Sequence, residues 1–445
     1  MRTELCIAQA DIDALRQHLL GVDSERCAVL LAAQSTRSNG QIRMLVRELV
    51  VPDQEEYTSQ SALDAELSPL FVAQVTKRAA KDKLALVFVH THIDDGVPDF
   101  SSIDDRGELP LRTFLDNRGV DGHHAALVIS KGGMRARLLG TQEELRVVSV
   151  GAKRRVEFDP DLDEASTSAT FDRQVRAFGA AGQKQLEKLT VAIVGLGGTG
   201  SIMAQQLVHL GIRSFILIDH DSIEETNLNR VVGASRADVG DNKAAVAARY
   251  ASRFGSEVKV DVVAGDVSRD SVARRLIDAD VIMCCTDSHG SRSVIQQVSY
   301  QHLIPCIDMG STIIQDNGEV TGIFGRVQLL APGLPCLWCS GLLDAAEIRR
   351  DLMSEAERRL DPYIVGSREP APSVISLNGT VVSLAVTMLL GIAVGAPIDA
   401  TRLMYNARSP ALRAVHGEPK VDCFICSRKG ALAWGDHRRL FTRLD

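Results

Sequence analysis

The sequence has no excess of positive charge, no hydrophobic run long enough to span a bilayer, and few cysteines outside two short pairs. Its 50 Lys and Arg are outnumbered by 57 Asp and Glu, a net charge of −7. Holding nucleic-acid phosphates needs a basic face, and no basic stripe is longer than Lys153-Arg154-Arg155, so the composition argues against a nucleic-acid binder. The most apolar stretch, Val381–Val394, has 14 residues, short of the roughly 18–20 that cross a membrane, and reads as a buried helix. The opening MRTELCIAQADID is polar and acidic, unlike a signal peptide. Of the nine cysteines, five lie outside any C-x-x-C pair, which does not suggest a secreted disulfide scaffold. A cytoplasmic protein is expected. No internal repeat of fixed period is visible.

With 45% hydrophobic and 24% charged residues, the chain is ordinary globular material rather than a disordered one. Its 445 residues, at roughly 100–200 per domain, suggest two or three domains. Residues 1–150 carry short apolar strands at Ala28–Ala32, Met44–Val51, Leu84–His90, Ala125–Ser130 and Arg146–Val150. A helix is expected from Ser68 to Ala80, with Ser68 as N-cap and Pro69 at its first position. Residues 151–170 read as a linker, because Phe158–Thr170 is rich in Asp, Ser and Thr and lacks apolar periodicity. From Phe171 strands alternate with helices, the pattern of a parallel sheet covered on both faces. The domain is drawn over 171–430, with 431–445 as a C-terminal tail.

In that domain a β-branched strand, Thr190–Val194, runs into Gly195-Leu-Gly-Gly-Thr-Gly200, with a helix expected from Ser201. Gly195 would allow the tight turn, Gly197 the close approach of backbone to phosphate, and Gly200 the packing of helix on strand. Phosphates would then face the N–H groups at the helix start. A second strand, Phe215–Ile218, ends in Asp219, 19 residues past Gly200, about where an acidic residue should hold ribose hydroxyls. A tight structural turn is the competing reading.

The glycine pattern does not separate NAD from ATP. A triphosphate carries more negative charge than a dinucleotide pyrophosphate, so it needs Arg and Lys near its outer phosphates and a carboxylate for Mg²⁺. Arg230, Lys243 and Asp287 are of those types, and Asp287 ends a strand expected over Ala279–Asp287, at a strand's C-terminal end where such sheets bind ligands. By type alone, three solvated surface charges remain the alternative.

The run Arg173-Gln174…Phe178-Gly179…Gly182-Gln183…Leu186, then GLGGTGS, LIDHDSIEETNLNR, DNK and CCTD, closely resembles the E1-like activating enzymes of the ThiF/MoeB class. The resemblance covers about residues 171–430. It implies a Rossmann-like doubly wound parallel sheet and ATP- and Mg²⁺-dependent adenylation of the C-terminal carboxylate of a ubiquitin-like protein. By position it makes Gly195, Gly197, Gly198 and Gly200 the phosphate loop and Asp219 the ribose ligand. Asn227, Arg230 and Lys243 become phosphate ligands, and Asp287 the Mg²⁺ ligand. Arg173 matches an arginine that reaches into the partner subunit's site in the family's homodimers, so a homodimer is expected. Val231 departs from the family, which usually has Gln there.

Cys336-Leu-Trp-Cys339 and Cys423-Phe-Ile-Cys426 are separated by 83 residues. Two such knuckles can complete a tetrahedral Zn²⁺ site, with thiol redox chemistry as the alternative. They match the family's structural zinc. Many members pass the adenylate to a cysteine in the loop after the first pair, yet no cysteine lies between Ser340 and Ile398. Cys284, Cys285 and Cys306 read as inert buried thiols, and Cys6 and Cys27 belong to the other domain. Transfer to an outside thiol or amine, such as an E2-like partner, follows.

In the first domain, His90-Thr-His92 puts two imidazoles on one face of a strand. Ser101 and Asp104 follow, and Glu25 precedes the strand Ala28–Ala32. Two imidazoles and a carboxylate can hold a catalytic Zn²⁺ with a place left for water, and Glu25 would be the base for that water. This arrangement resembles the JAB/MPN metalloprotease domain with its JAMM motif, an α+β fold, over about residues 5–145. Glu25, His90, His92, Ser101 and Asp104 match in order. The spacer of eight residues between His92 and Ser101 is one longer than usual, and Ile93 replaces a common proline. Glu48 is an alternative base, and a degenerate domain kept for docking is the alternative role.

The expected function is therefore adenylation of a ubiquitin-like protein, with a linked zinc peptidase acting on its tail or conjugates. A sulfur-carrier activator for cofactor biosynthesis, and an adenylating enzyme with an inactive docking domain, are the rivals. A NAD-dependent oxidoreductase is disfavoured by Arg230, Lys243 and Asp287.

Overall fold

The computed structural model describes residues 3–120, 122–161, 168–354, 357 and 372–443. Its chain falls into two units: Met1–Glu164 with Gln301–Leu303 and Ala431–Arg439, and Ala165–Tyr300 with Ile304–Gly430 and Leu440–Asp445.

The first unit contains β1 (Glu4–Ala8), α1 (Gln9–Leu19), β2 (Cys27–Thr36), β3 (Ile42–Val50), β4 (Tyr57–Gln60), β5 (Ala65–Leu67) and α2 (Pro69–Lys81). It continues with β6 (Ala85–Thr91), α3 (Ser102–Asn117), β7 (Ala125–Ser130), β8 (Gly133–Leu138), β9 (Glu144–Val150) and β10 (Arg154–Phe158). Eight strands form one sheet in the order β1-β3-β2-β6-β7-β8-β9-β10, and β1 also pairs with β9. The sheet therefore closes on itself, which removes the exposed edge that β1 would otherwise present. One face buries Ile12, Leu15 and Leu19 of α1, and a second cluster joins Phe71 and Val75 of α2 to Leu115 of α3.

α2 starts where the sequence places it: Ser68 Oγ accepts from the Phe71 N–H, and Pro69, which has no N–H to lose, opens the helix. Two boundaries differ from expectation. Arg154–Phe158 is not linker but a strand pairing with β9; residues 162–167 of the expected linker lie outside the described residues. The presumed tail contributes Ala431–Arg439 to the first unit, where Trp434 lies under the Arg47 guanidinium at 3.6 Å and Asp436 accepts from the Thr36 N–H at 2.7 Å. A cation over an indole face is attractive, and nothing in the tail's own pattern announces it.

The second unit begins with α4 (Asp172–Lys188), kinked at Phe178 and Gly179, where Gly179 takes φ +77°. There follow β11 (Thr190–Val194), α5 (Gly198–His209), β12 (Ser214–Ile218), α6 (Lys243–Ala251), β13 (Lys259–Val263), β14 (Val281–Cys284), β15 (Cys306–Asp316), β16 (Glu319–Leu330), β17 (Arg402–Asn406) and β18 (Ala411–Ala414). The sheet order is β13-β12-β11-β14-β15-β16-β17-β18. Only the β13-to-β15 half is parallel; β16, β17 and β18 add antiparallel strands. The all-parallel expectation is corrected accordingly: β15 to β16 is a hairpin, its turn supplied by Asn317 and Gly318, both at positive φ. The apolar run is the core of the helix Ile375–Ala393, long and apolar enough to cross a membrane by composition but half buried in the core here.

Candidate active site

At the C-terminal ends of the parallel strands lies a cavity of about 1710 Å³, where open α/β sheets bind ligands. The glycine loop forms one wall. Gly195 turns at φ +87°, and a Cβ there would stand 3.0 Å from the Cys285 carbonyl oxygen. At Gly200 a Cβ would lie 1.8 Å from the Gly195 oxygen, so only glycine permits that approach. At Gly198 it would meet Asn378 Nδ2 at 2.4 Å, whereas at Gly197 it would meet nothing within 4 Å. Gly197 faces open cavity. The helix starts at Gly198 rather than Ser201, with Gly197 as its N-cap and no side-chain cap, leaving its first N–H groups for a ligand.

Asp219 is buried and lines the cavity. Its carboxylate accepts from the N–H groups of Leu196 at 2.6 Å and Asp221 at 2.8 Å, tying the glycine loop to the end of β12. Burial pushes its pKa up against those two bonds. Asn227, Arg230, Val231 and Lys243 line the same cavity. Asn227 Oδ1 accepts from the Glu224 N–H, and Arg230 donates to the Thr226 carbonyl at 2.6 Å. Lys243 Nζ pairs with Asp221 at 2.8 Å. Burial raises the Asp221 carboxyl, but the Lys243 bond and charge outweigh it and hold the pKa down. The strand expected through Asp287 ends at Cys284; Asp287 is exposed on the loop that follows and lines the cavity.

Arg173 is exposed on the first turn of α4 and is not among the cavity's lining residues. Cys285 lines the cavity, with its thiol pushed well above its ordinary pKa chiefly by burial, while Cys284 and Cys306 are fully buried. Sequence reasoning missed Asp221, Asp266, Arg292 and Arg443, which also line the cavity. Asp221 was findable two residues after Asp219; Arg443 carries no local signal.

Cys336, Cys339, Cys423 and Cys426 come together, their sulfurs within 4.8 Å of one another. Cys336–Cys423 and Cys339–Cys426 are each 3.6 Å apart. That excludes a disulfide at about 2.05 Å and approaches the ~3.8 Å edge of a tetrahedron with Zn–S near 2.3 Å. Cys339 Sγ also accepts from the Lys420 N–H at 3.3 Å. The Cys336 hydrogen bond lowers the Cys426 pKa, and the same bond with burial raises that of Cys336. The four sulfurs can hold a zinc ion.

In the first unit, Cys27 of β2 stands opposite His90 of β6, so Glu25 enters just beside the histidines. Its backbone is held by the β4–β5 hairpin, through Glu25 N–H to Ser61 O and Gln60 Nε2 to Glu25 O, both 2.8 Å. His90, His92 and Asp104 bring their ligand atoms within 4.8 Å of one another. His90 Nε2 is buried and lies 3.1 Å from Asp104 Oδ1 without a well-directed hydrogen bond. Two imidazoles and a carboxylate with such an orphaned nitrogen fit a zinc ion. Burial pushes Asp104 up, but the two imidazoles outweigh it and hold the carboxyl far below the usual range. Glu25 feels His90, His92 and Asp104, and burial raises its pKa. Ser101 caps α3: its Oγ accepts from Ile103 and Asp104 N–H, and its own N–H donates to Asp104 Oδ2 at 2.6 Å. It thereby orients Asp104. Glu48 instead pairs with Arg78.

A family model described as "ThiF family" matches residues 171–423, more than half of the chain. The SAMP-activating enzyme E1 of Haloferax volcanii is 27% identical over 254 residues, covering 57% of this chain and 85% of that protein. The molybdopterin-synthase adenylyltransferase of Escherichia coli is 26% identical over 261 residues, covering 58% and 96%. The sulfur carrier protein ThiS adenylyltransferase of Bacillus subtilis is 31% identical over 173 residues, covering 38% and 48%.

Proposed function

The chain belongs to the ThiF family, and on that premise we propose that its second unit adenylates the C-terminal carboxylate of a ubiquitin-like or sulfur-carrier protein with ATP. The observation that carries this is the gathering of Gly195, Gly197, Gly198, Asn227, Arg230, Lys243 and Asp287 around one cavity at the parallel strand ends. A carboxylate oxygen of the tail attacks the α-phosphorus, the bond to the bridging oxygen breaks, and pyrophosphate leaves with that electron pair. The product is an acyl-adenylate. Arg230, Lys243 and the helix N–H groups stabilise the charge on the phosphates. Lys243 is already positioned by Asp221. Asp287 would hold Mg²⁺, which neutralises phosphate charge when bound. Arg173 acts on the partner subunit's site in a homodimer, consistent with its absence from the cavity of its own chain.

No cysteine lies between Ser340 and Ile398, so the adenylate passes directly to an outside thiol or amine, such as an E2-like partner. The zinc of the four cysteines is structural, closing the loop between the two knuckles.

The first unit is a JAB/MPN-type zinc peptidase acting on the tail or conjugates of the same protein. His90, His92 and Asp104 would hold the zinc, which supplies a polarised water. Glu25, buried and of raised pKa, takes and returns a proton, and Ser101 fixes Asp104. A tether between two sites that read one tail raises their effective concentration.

The test is ATP–pyrophosphate exchange with candidate ubiquitin-like proteins, with the acyl-adenylate identified by mass. Exchange that depends on such a protein supports the reading; nucleotide binding without exchange in the presence of every candidate would overturn it.

A further inference from the structure

Arg443, beyond the segment that matches the family model, lines the cavity. The Arg443 guanidinium pairs with Asp266 and donates to Ser268 Oγ through Nε at 3.1 Å and Nη2 at 2.7 Å. Its backbone is tied at both ends: the Arg443 N–H donates to Ser268 O at 2.8 Å, and the Asp270 N–H donates to Arg443 O at 3.1 Å. Thr442 Oγ1 adds a bond to Asp270 at 3.1 Å. Asp266, Ser268 and Arg443 all line the cavity.

Strand order says which end of a nucleotide these residues meet. The glycine loop follows β11, Asp219 follows β12, and Asp266 lies just past β13. The phosphates belong at the glycine loop and the ribose at Asp219. The base therefore extends towards β13, two strands or roughly 10 Å from the loop. Asp287, past β14, is on the opposite side and serves the outer phosphates. The Asp266–Arg269 turn is short and lines the cavity; it has internal bonds from Ser268 N–H to Asp266 Oδ1 and Arg269 N–H to Asp266 O, and a guanidinium from more than 170 residues away in sequence is bonded to it as well.

We propose that Arg443 is a positioning residue for the base end of the bound nucleotide. Resting on the adenylation reading, this role is to hold the Asp266–Arg269 turn as the wall of the base pocket. The fork of Arg443 spans a carboxylate and a hydroxyl together, a task that a lysine performs only as a point charge. Loss of the fork loosens the base pocket and leaves the glycine loop, Lys243 and Asp287 in place.

The experiment uses the full chain and measures binding of adenosine, ATP and inorganic tripolyphosphate, together with KM and kcat for ATP–pyrophosphate exchange. Arg443→Ala and Asp266→Asn should each weaken adenosine and ATP binding by about tenfold, the scale of one lost charge-assisted bond. Tripolyphosphate affinity and kcat should stay within about twofold, and Arg443→Lys should recover part of the loss. Thermal unfolding of both variants reports that the fold is kept. Equal adenosine affinity in wild type and both variants overturns the base-end role alone. Parallel loss of tripolyphosphate and adenosine binding also overturns it, because the defect is then general. A wild-type chain that binds no nucleotide overturns the adenylation reading and this role with it.

Discussion

His90 Nε2 lies 3.1 Å from Asp104 Oδ1, although one ends a strand and the other opens a helix. Asp104 at the third helical position reaches back to the Ser101 N–H, and that capping box aims the carboxylate at the histidines. The local helix signal and the metal-type cluster are one arrangement.

Zinc content follows from this. Metal analysis of the wild type should give about two zinc ions per chain, and His90→Ala/His92→Ala about one. One ion in both proteins would mean that only the cysteine site is filled, and the first unit would then be a docking domain.

The same cluster sets a pH dependence. The hydrogen bond to Asp104 raises the His92 pKa above its ordinary 6.5. In metal-free protein this contribution is fully present below the unfolded value and is lost as pH rises through the folded one. Zinc needs the neutral ring, so its affinity should rise over that window. Thermal unfolding with and without zinc, followed upward from pH 6.5, should show metal-free stability falling while the zinc-induced gain grows. His92→Ala should flatten the first trend; an unchanged slope would remove His92 as its source.

Two glycines of one loop should behave differently. Gly200→Ala places a carbon 1.8 Å from the Gly195 oxygen, so it should destabilise by about 1–3 kcal/mol or more and abolish nucleotide binding. Gly197→Ala meets no protein atom within 4 Å. Its stability should change by less than about 0.5 kcal/mol, yet ATP affinity should drop because the methyl occupies ligand space. Chemical denaturation and nucleotide titration on the two variants separate the effects.

Arg173→Ala and Asp287→Ala should each lower adenylation by about 10²–10³, the range for losing one charge-stabilising group. Mixed in one sample, the two variants should recover part of the activity, since a dimer then holds one site with both residues intact. No recovery on mixing would place Arg173 outside the trans role.

Much of the nucleotide unit is legible in the sequence because its signals are local. Thr190–Val194 is a strand by β-branching alone, and Gly195 and Gly200 are forced by a turn and a contact only five residues long. The cysteine pairs are legible for the same reason: each Cys-x-x-Cys is set by its own tight turn, and only their meeting needs the fold. The parallel half of the sheet follows from alternating strands and helices. The antiparallel half does not, because β17 and β18 are short, partly exposed strands, and only the hairpin at Asn317-Gly318 and pairing across the sheet fix the direction of β16 to β18.

Other contacts had no local signature. Asp219 was read as a ribose ligand, and its carboxylate also fastens the glycine loop through Leu196. Trp434 and Asp436 looked like tail and instead pack on the first unit. Arg443 became part of the cavity only through Asp266 and Ser268. The sequence by itself singled out the candidate side chains: the glycine loop, Arg230, Lys243, Asp287, the paired cysteines, and Glu25 with His90, His92 and Asp104. Tertiary structure alone decided which of them face one cavity, what orients each, and which distant residue completes a wall. Residue type and short spacing are encoded within a few positions of the chain, whereas contacts across the fold are selected by burial and pairing summed over the whole unit.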